Sequence, residues 1–366
     1  MKRALIVLLL LAVLAGGLFA QVSVGGQIAT GILLKSTAED TTIGVHHPDG
    51  QNAFRARISV GYTNDAGTSG MNSRFNVRDN GIGADFAWAW FKPLDNLWVN
   101  VGKLDQWNYG SMGGVDDNFG FADPLGLLVR YLAMPGLNIL AAGNIGTRFN
   151  DYTANSIEGF GVGNEPKNIG FSLGARYVTS AFGAMAAVRG ADAKLTQGLV
   201  GFDFLGLGDL GLTKLAIDAR ISGLDDLDTK GAFVVGPRVH FALGSLGIQL
   251  RSQVYIPMLD EQELDLAATL QVAYAITPNV TVGILGGFEK DANIPSGNDD
   301  YRDNWDVMNA YGRAIGGTGD SGLVVKPYVN FGLGGLMVRT GYAYYGLMDT
   351  EDAYKHLIFL RIERWF

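Results

Sequence analysis

Cysteine is absent from the 366 residues. That excludes a disulfide framework, thiol catalysis, cysteine-ligated metal and a lipid anchor on an N-terminal cysteine. Proline is scarce at 10 residues, and no Pro-rich linker or charge block divides the chain, so one domain is expected after an N-terminal leader. Bases are the minority, with 28 Lys and Arg against 36 Asp and Glu for a net charge of −8. A chain so acidic lacks the basic face that nucleic-acid binding uses. Long apolar runs are also missing beyond the first 20 residues, and a helical membrane span needs about 20 of them in a row. Yet hydrophobic residues make up 48% of the chain, so they must be placed some other way.

The one apolar run is at the start. Lys2 and Arg3 are followed by Ala4 to Leu14, then by the small-residue stretch Ala15-Gly16-Gly17-Leu18-Phe19-Ala20 before Gln21. Basic, apolar and small segments in that order read as a secretory signal peptide over residues 1–20, too short for a spanning helix.

Elsewhere the apolar residues fall at every second position. In Phe54-Arg55-Ala56-Arg57-Ile58-Ser59-Val60-Gly61-Tyr62 the even positions are apolar and the odd ones polar or small. Asn168 to Tyr177 and Leu264 to Tyr274 repeat the pattern. Period two means a strand with one apolar and one wet face. Each stretch is about 9 to 11 residues, the length a tilted strand needs to cross a bilayer. Short turns at Pro93–Asn96, Met134–Leu137, Thr179–Phe182, Gly206–Gly211, Gly244–Leu246, Thr277–Asn279 and Gly332–Gly335 alternate with longer polar segments at 35–51, 104–125, 145–167, 190–197, 222–231, 257–263, 289–322 and 346–355. Short turns on one side and long loops on the other mark an outer-membrane barrel. With 52 glycines and 11% aromatics, the expected fold is all-β: a closed antiparallel transmembrane β-barrel of about 16 to 18 strands over residues 21–366. Ser73–Arg78 reads as a short, weak strand.

Aromatic rings gather near strand ends: Trp88, Trp90 and Phe91 before Pro93, Tyr177 before Thr179, and Tyr274 before Thr277. Rings there are expected at the membrane interface. Ile358, Leu360 and Ile362 alternate toward the terminal Phe366.

On these features residues 21–366 resemble the diffusion porins of bacteria with an outer membrane, spirochaetes among them. The resemblance rests on pattern over the whole mature chain rather than on a sharp motif. It implies an outer-membrane location and passive diffusion of small hydrophilic solutes, with a substrate-selective transporter or a loop-mediated adhesin barrel as alternatives. The implied partners are outer-membrane lipids, those solutes and the barrel assembly machinery, which reads a final strand ending in phenylalanine such as Phe366. Arg364 stands where such strands usually carry an aromatic. A homotrimer is one assembly state the resemblance implies; monomer and trimer are not separated by the sequence. In these porins the long loop after the fifth strand narrows the pore. Leu97–Lys103 would be that strand, and the loop Gln106 to Gly120, with Asp116 and Asp117, would be the constriction loop; an acidic external loop is the plainer reading.

The wet faces are basic. Arg55, Arg57, Arg74, Arg78, Arg130 and Arg176 point inward on this register, as do Arg189, Lys214, Arg220, Arg238, Arg251, Lys326 and Arg339. The inward acids are Asp85, Asp203, Asp218, Asp265 and Glu289. A basic lining attracts anions and implies a mild anion preference; the plainer reading is arginines that only pair with neighbouring carboxylates. Gly206-Leu207-Gly208-Asp209-Leu210-Gly211 has the spacing of a dinucleotide fingerprint, which requires a helix next in the chain, but an alternating strand stands there instead. His46 and His47, and the acidic Asp260-Glu261-Gln262-Glu263, read as solvated loops. No Ser/His pair or carboxylate cluster reads as catalytic, so no enzyme, cofactor or metal site is expected.

Overall fold

A computed structural model describes residues 22–38, 41–45, 54–78, 81–103, 125–145, 169–191, 194–204, 211–225, 232–258, 265–290, 321–348 and 354–366, with 207 and 227 besides. The leader 1–20, the loop with Asp116 and Asp117, and His46, His47 and Asp260–Glu263 lie outside the described residues. The described residues form one sheet of nineteen strands. They are β1 (Val22–Thr37), β2 (Thr41–Val45), β3 (Phe54–Thr63), β4 (Ser69–Arg78), β5 (Gly81–Leu94), β6 (Leu97–Lys103), β7 (Leu125–Met134), β8 (Leu137–Ile145), β9 (Ile169–Val178) and β10 (Phe182–Ala191). The rest are β11 (Lys194–Phe204), β12 (Leu212–Ser222), β13 (Ala232–Leu243), β14 (Leu246–Pro257), β15 (Asp265–Thr277), β16 (Val280–Lys290), β17 (Gly322–Leu333), β18 (Leu336–Leu347) and β19 (Tyr354–Trp365).

Every neighbouring pair from β3 to β19 is antiparallel, and β1 closes the ring against β19 from Gln27↔Trp365 to Thr37↔Lys355. The other edge of β1 is shared. Its lower half, Val22–Thr30, pairs with β3 and its upper half, Ile32–Ser36, with β2. The two segments therefore occupy one position in the wall, and the barrel has eighteen strands. That settles the choice left between sixteen and eighteen. Closure gives β1 and β3 to β19 partners on both sides, the condition for crossing hydrocarbon, while the short β2 pairs with β1 alone among the described residues.

Tight turns on one rim explain the regular pairing. Gly334 and Gly335 join β17 to β18 with φ of 55° and 84°, and positive φ at both central residues is the turn that glycine pairs favour. The turn from β3 to β4 is one the sequence did not announce. There the Asn64 carboxamide oxygen accepts from the backbone amides of Thr68 at 2.8 Å and Ser69 at 3.0 Å. Gly211 leads directly into strand β12 rather than a helix, so the glycine-rich stretch before it opens no dinucleotide fold. On the opposite rim three connections are short: three residues separate β1 from β2, within the segment 35–51 expected as a loop, two separate β4 from β5, and two separate β10 from β11, where the longer segment 190–197 had been expected. Ser73–Arg78 is not a weak strand but the far end of a full ten-residue one, β4.

Exposure separates the two faces. Val24, Ile28 and Ile32 of β1, Leu250 of β14, Leu270 of β15 and Ile284 of β16 are exposed large apolar residues, whereas Gln27, Asn100, Ser172, Asp203, Lys326 and Glu363 are buried. This inverts a water-soluble protein, where large apolar residues are hidden and charged ones shown. It is the pattern of a barrel whose outside meets lipid.

Candidate functional site: the inner wall

The inward face comes from the register, since paired residues share a face. Gln27 pairs with Arg57, Arg57 with Asn76, and Ser59 with Arg74. Arg55 pairs with Arg78 on the same face, although their side chains lie outside the described ones. Farther round, Trp98 pairs with Arg130, Asn138 with Arg176 and Arg176 with Met185. Ala216 pairs with Arg238 and Arg238 with Arg251. The six candidate arginines thus share the inner face but stand on β3, β4, β7 and β9, forming a curved basic wall rather than a single cluster.

The inward bases contact neutral groups as well as acids. Arg57 Nε donates to Asn76 Oδ1 at 3.1 Å, Arg238 Nε to His240 Nε2 at 3.0 Å, and Arg339 Nε to Asn330 Oδ1 at 2.6 Å. Among inward residues with described side chains the acids are Asp203 and Glu363. Lys214 Nζ lies 3.7 Å from Asp203 Oδ2, and an Arg361 terminal nitrogen lies 2.5 Å from Glu363 Oε2. Gln27 Nε2 donates to the other Glu363 oxygen at 2.5 Å. That last group crosses the β1–β19 seam, where Gly26 and Phe366 also exchange backbone hydrogen bonds of 2.8 and 3.0 Å.

Several inner residues were missed or misplaced in the sequence. Arg361 and Glu363 occupy the odd positions opposite Ile358, Leu360 and Ile362, so their signal was present in the alternation. Trp88 and Trp90 were expected at the lipid interface, yet they face inward. Trp88 pairs with Asn72 and Trp90 with Gly70, after a bulge at Arg74/Phe75 that gives β5 an extra residue. A bulge of this kind shifts every later side chain by one face. Phe91 does face outward, as do Tyr177 and Tyr274. Tyr177, Phe182, Phe202 and Phe204 form a chain of outward rings with centroids 5.8, 5.5 and 4.7 Å apart. Inside, Trp88 joins Leu128, Leu140, Met185 and Leu199 in an apolar cluster over β5–β11.

Rings and cations meet on the same wall. The guanidinium of Arg130 lies 4.0 Å from the Trp98 ring centroid and that of Arg74 4.6 Å from Phe86. Lys326 Nζ is 4.9 Å from Phe359, and the Arg339 guanidinium 5.3 Å from Tyr328. Lys92, not anticipated from the sequence, stands between Trp98 at 5.1 Å and Trp90 at 5.7 Å. Among the described residues no group of three His, Cys, Asp or Glu could hold a metal ion.

An eighteen-stranded closed barrel with an apolar outside and a polar, basic inside has the fold of an outer-membrane porin, and its apolar band places it in an outer membrane. Solved structures of such porins superpose over nearly the full chain. With the outer-membrane protein OprD of Pseudomonas aeruginosa the TM-score is 0.57 at 12% identity, covering 94% of this chain and 93% of that one. With OpdL of the same organism the values are 0.56, 12%, 95% and 99%. With P. aeruginosa OccK2 (OpdF), solved in complex with glucuronate, they are 0.59, 10%, 94% and 98%. No family model and no curated protein sequence matches the chain.

Proposed function

We propose that this barrel is a porin that passes small hydrophilic solutes across the outer membrane and prefers anions. The observation that carries this reading is the inner wall itself. Arg57, Arg74, Arg130, Arg176, Arg238, Arg251, Lys326 and Arg339 stand on it, while the inward acids are fewer: Asp203 and Glu363, with Asp218, Asp265 and Glu289 on the same face by register. Fixed cations on a low-dielectric wall concentrate anions and repel cations, an effect that fades as salt screens them beyond about 10 Å at 0.1 M. No chemistry is required of the wall, so no catalytic group or cofactor belongs to this reading.

A second reading, a channel selective for particular solutes, is favoured by the rings among the cations. Diffusion alone needs no aromatic side chain inside, whereas recognition of a solute with both a charge and an apolar face would use one. The structural likeness to a porin holding glucuronate, a sugar acid, is consistent with an anionic solute. Planar-bilayer recording separates these readings. A diffusion pore conducts chloride without saturation, while a selective channel has its current blocked by micromolar to millimolar solute. Folded protein that shows no conductance at all would reject both and leave the loop-mediated adhesin.

A further inference from the structure

The outward tyrosines are arranged in two ways. Tyr62, Tyr131, Tyr177 and Tyr274 stand singly on β3, β7, β9 and β15, each beside a short turn, as an interfacial belt requires. Tyr342, Tyr344 and Tyr354 are instead bunched on the opposite rim, on β18 and β19. His356 stands at their centre. Its ring centroid lies 5.3 Å from that of Tyr344, its cross-strand partner, 5.8 Å from Tyr342 and 5.2 Å from Tyr354. On its other side His356 pairs with Ser36 of β1, whose hydroxyl is 3.0 Å from that of Thr41. These residues share the outward face, since Tyr342 pairs with Ile358, which is 54% exposed. Elsewhere on that rim Leu127, Leu195, Phe233, Ile256 and Leu323 face outward, so the cluster is local rather than part of a continuous ring.

The cluster also carries donors. The Tyr342 hydroxyl shares a hydrogen bond with His356 Nδ1. With the phenol donating, the neutral imidazole keeps its proton on Nε2. That N–H and the hydroxyls of Tyr344 and Tyr354 have no hydrogen-bond partner among the described residues. Such donors would be costly against hydrocarbon, but at the height of the lipid head groups they can bind. Below them Ile358 of β19 and Ile32 of β1 continue the same face as exposed apolar surface. We propose that Tyr344, Tyr354 and His356 bind the sugar head group of an outer-leaflet lipid, whose acyl chains run down over Ile358 and Ile32. The longer connections of such a barrel face the outside, which sets the leaflet. A sugar offers C–H faces to rings and hydroxyls to donors, and tyrosine meets both demands. A phosphate calls for a cation close by. Lys355 is on the inward face by register, and the outward Lys290 is on β16, with β17 between it and the tyrosines of β18. The proposal needs the outer-membrane location alone and does not depend on what the lumen passes.

The test is native mass spectrometry of the folded full-length protein in micelles doped with digalactosyl diacylglycerol, phosphatidylcholine or phosphatidylglycerol of identical acyl chains. Heat-modifiable migration reports that each variant is folded. The wild type retains the galactolipid several-fold more tightly than either phospholipid. Tyr344→Leu, Tyr354→Leu and His356→Leu together weaken galactolipid retention roughly tenfold, the loss of one to two net hydrogen bonds. Tyr344→Phe with Tyr354→Phe, which keeps the rings and packing, weakens it about fivefold. Tyr62→Leu with Tyr274→Leu, in the dispersed belt, leaves it unchanged. Galactolipid held no more tightly than phosphatidylcholine, a preference for phosphatidylglycerol, or wild-type retention in either folded cluster variant would each overturn the proposal.

Discussion

Leu127 and Leu128 are neighbours in β7, yet Leu127 is 44% exposed and Leu128 is 0% exposed. The first faces outward. The second faces inward, under Trp88, Leu140 and Met185. In a soluble protein the exposed leucine would be the anomaly and the buried one the rule. Here each reflects the medium on its side of a sheet one residue thick. Outside, hydrocarbon welcomes apolar surface and punishes charge; inside, side chains pack on one another and carry their charge into the lumen. The sheet therefore has two environments but one backbone, and a single residue of slip exchanges them.

Substitutions that move a side chain between these environments break the comparison most sharply. Leu270→Arg puts a cation into lipid and should destabilise the folded barrel by about 2–4 kcal/mol if it lies near the midplane. Gln249→Arg, on the inner face of the adjacent strand, should cost little. Urea unfolding in vesicles checks both, and equal effects would mean that the faces are not distinct. Next comes the inner cluster. Leu128→Ala should lose about 2–3 kcal/mol, the cost of a partly relaxed core cavity. Leu127→Ala, which only exchanges one lipid contact for another, should lose much less in the same unfolding experiment. A smaller effect is expected at the seam. Glu363→Ala leaves Arg361 and Gln27 without their shared acceptor and should cost about 1–2 kcal/mol, read as a lower temperature for the shift between compact and unfolded migration. Glu363→Gln, which still accepts from Gln27, should recover part of that loss.

The strands and closure were legible because period two survives in a single sequence. Ile58, Val60 and Tyr62 alternate with Arg57, Ser59 and Gly61, and nothing but a two-faced strand requires that. The short-turn rim was legible through its glycines, prolines and asparagines. The path of β5 was not. Its extra residue at the Arg74/Phe75 irregularity leaves no mark on composition, so Trp88 and Trp90 read as an interfacial belt when they belong to the lumen. The shared edge of β1 was equally hidden, since β2 (Thr41–Val45) lies within 35–51, a stretch whose polar composition reads as a loop. For the inner wall, the arginines were legible one by one, but their ring partners were not. Phe359 reaches Lys326 only because Gly341 lies between them, a relation between three strands that no local pattern encodes.

The charge of the wall can be altered without touching its apolar outside. Arg57→Glu with Arg74→Glu should move ion preference toward cations at a smaller cost in stability than Leu270→Arg, as both positions face the lumen but hold Asn76 and Phe86. Raising the salt should erase the difference between this variant and the wild type.

The reversal potential of the wild-type channel under a potassium chloride gradient probes the basic inner wall most directly. A lumen lined by Arg57, Arg74, Arg130 and Arg176 should give the sign of a chloride-preferring pore, with a magnitude that shrinks as ionic strength rises. A potassium-preferring sign from folded, conducting protein would contradict it, since the bases on the inner wall would then not be what passing ions meet.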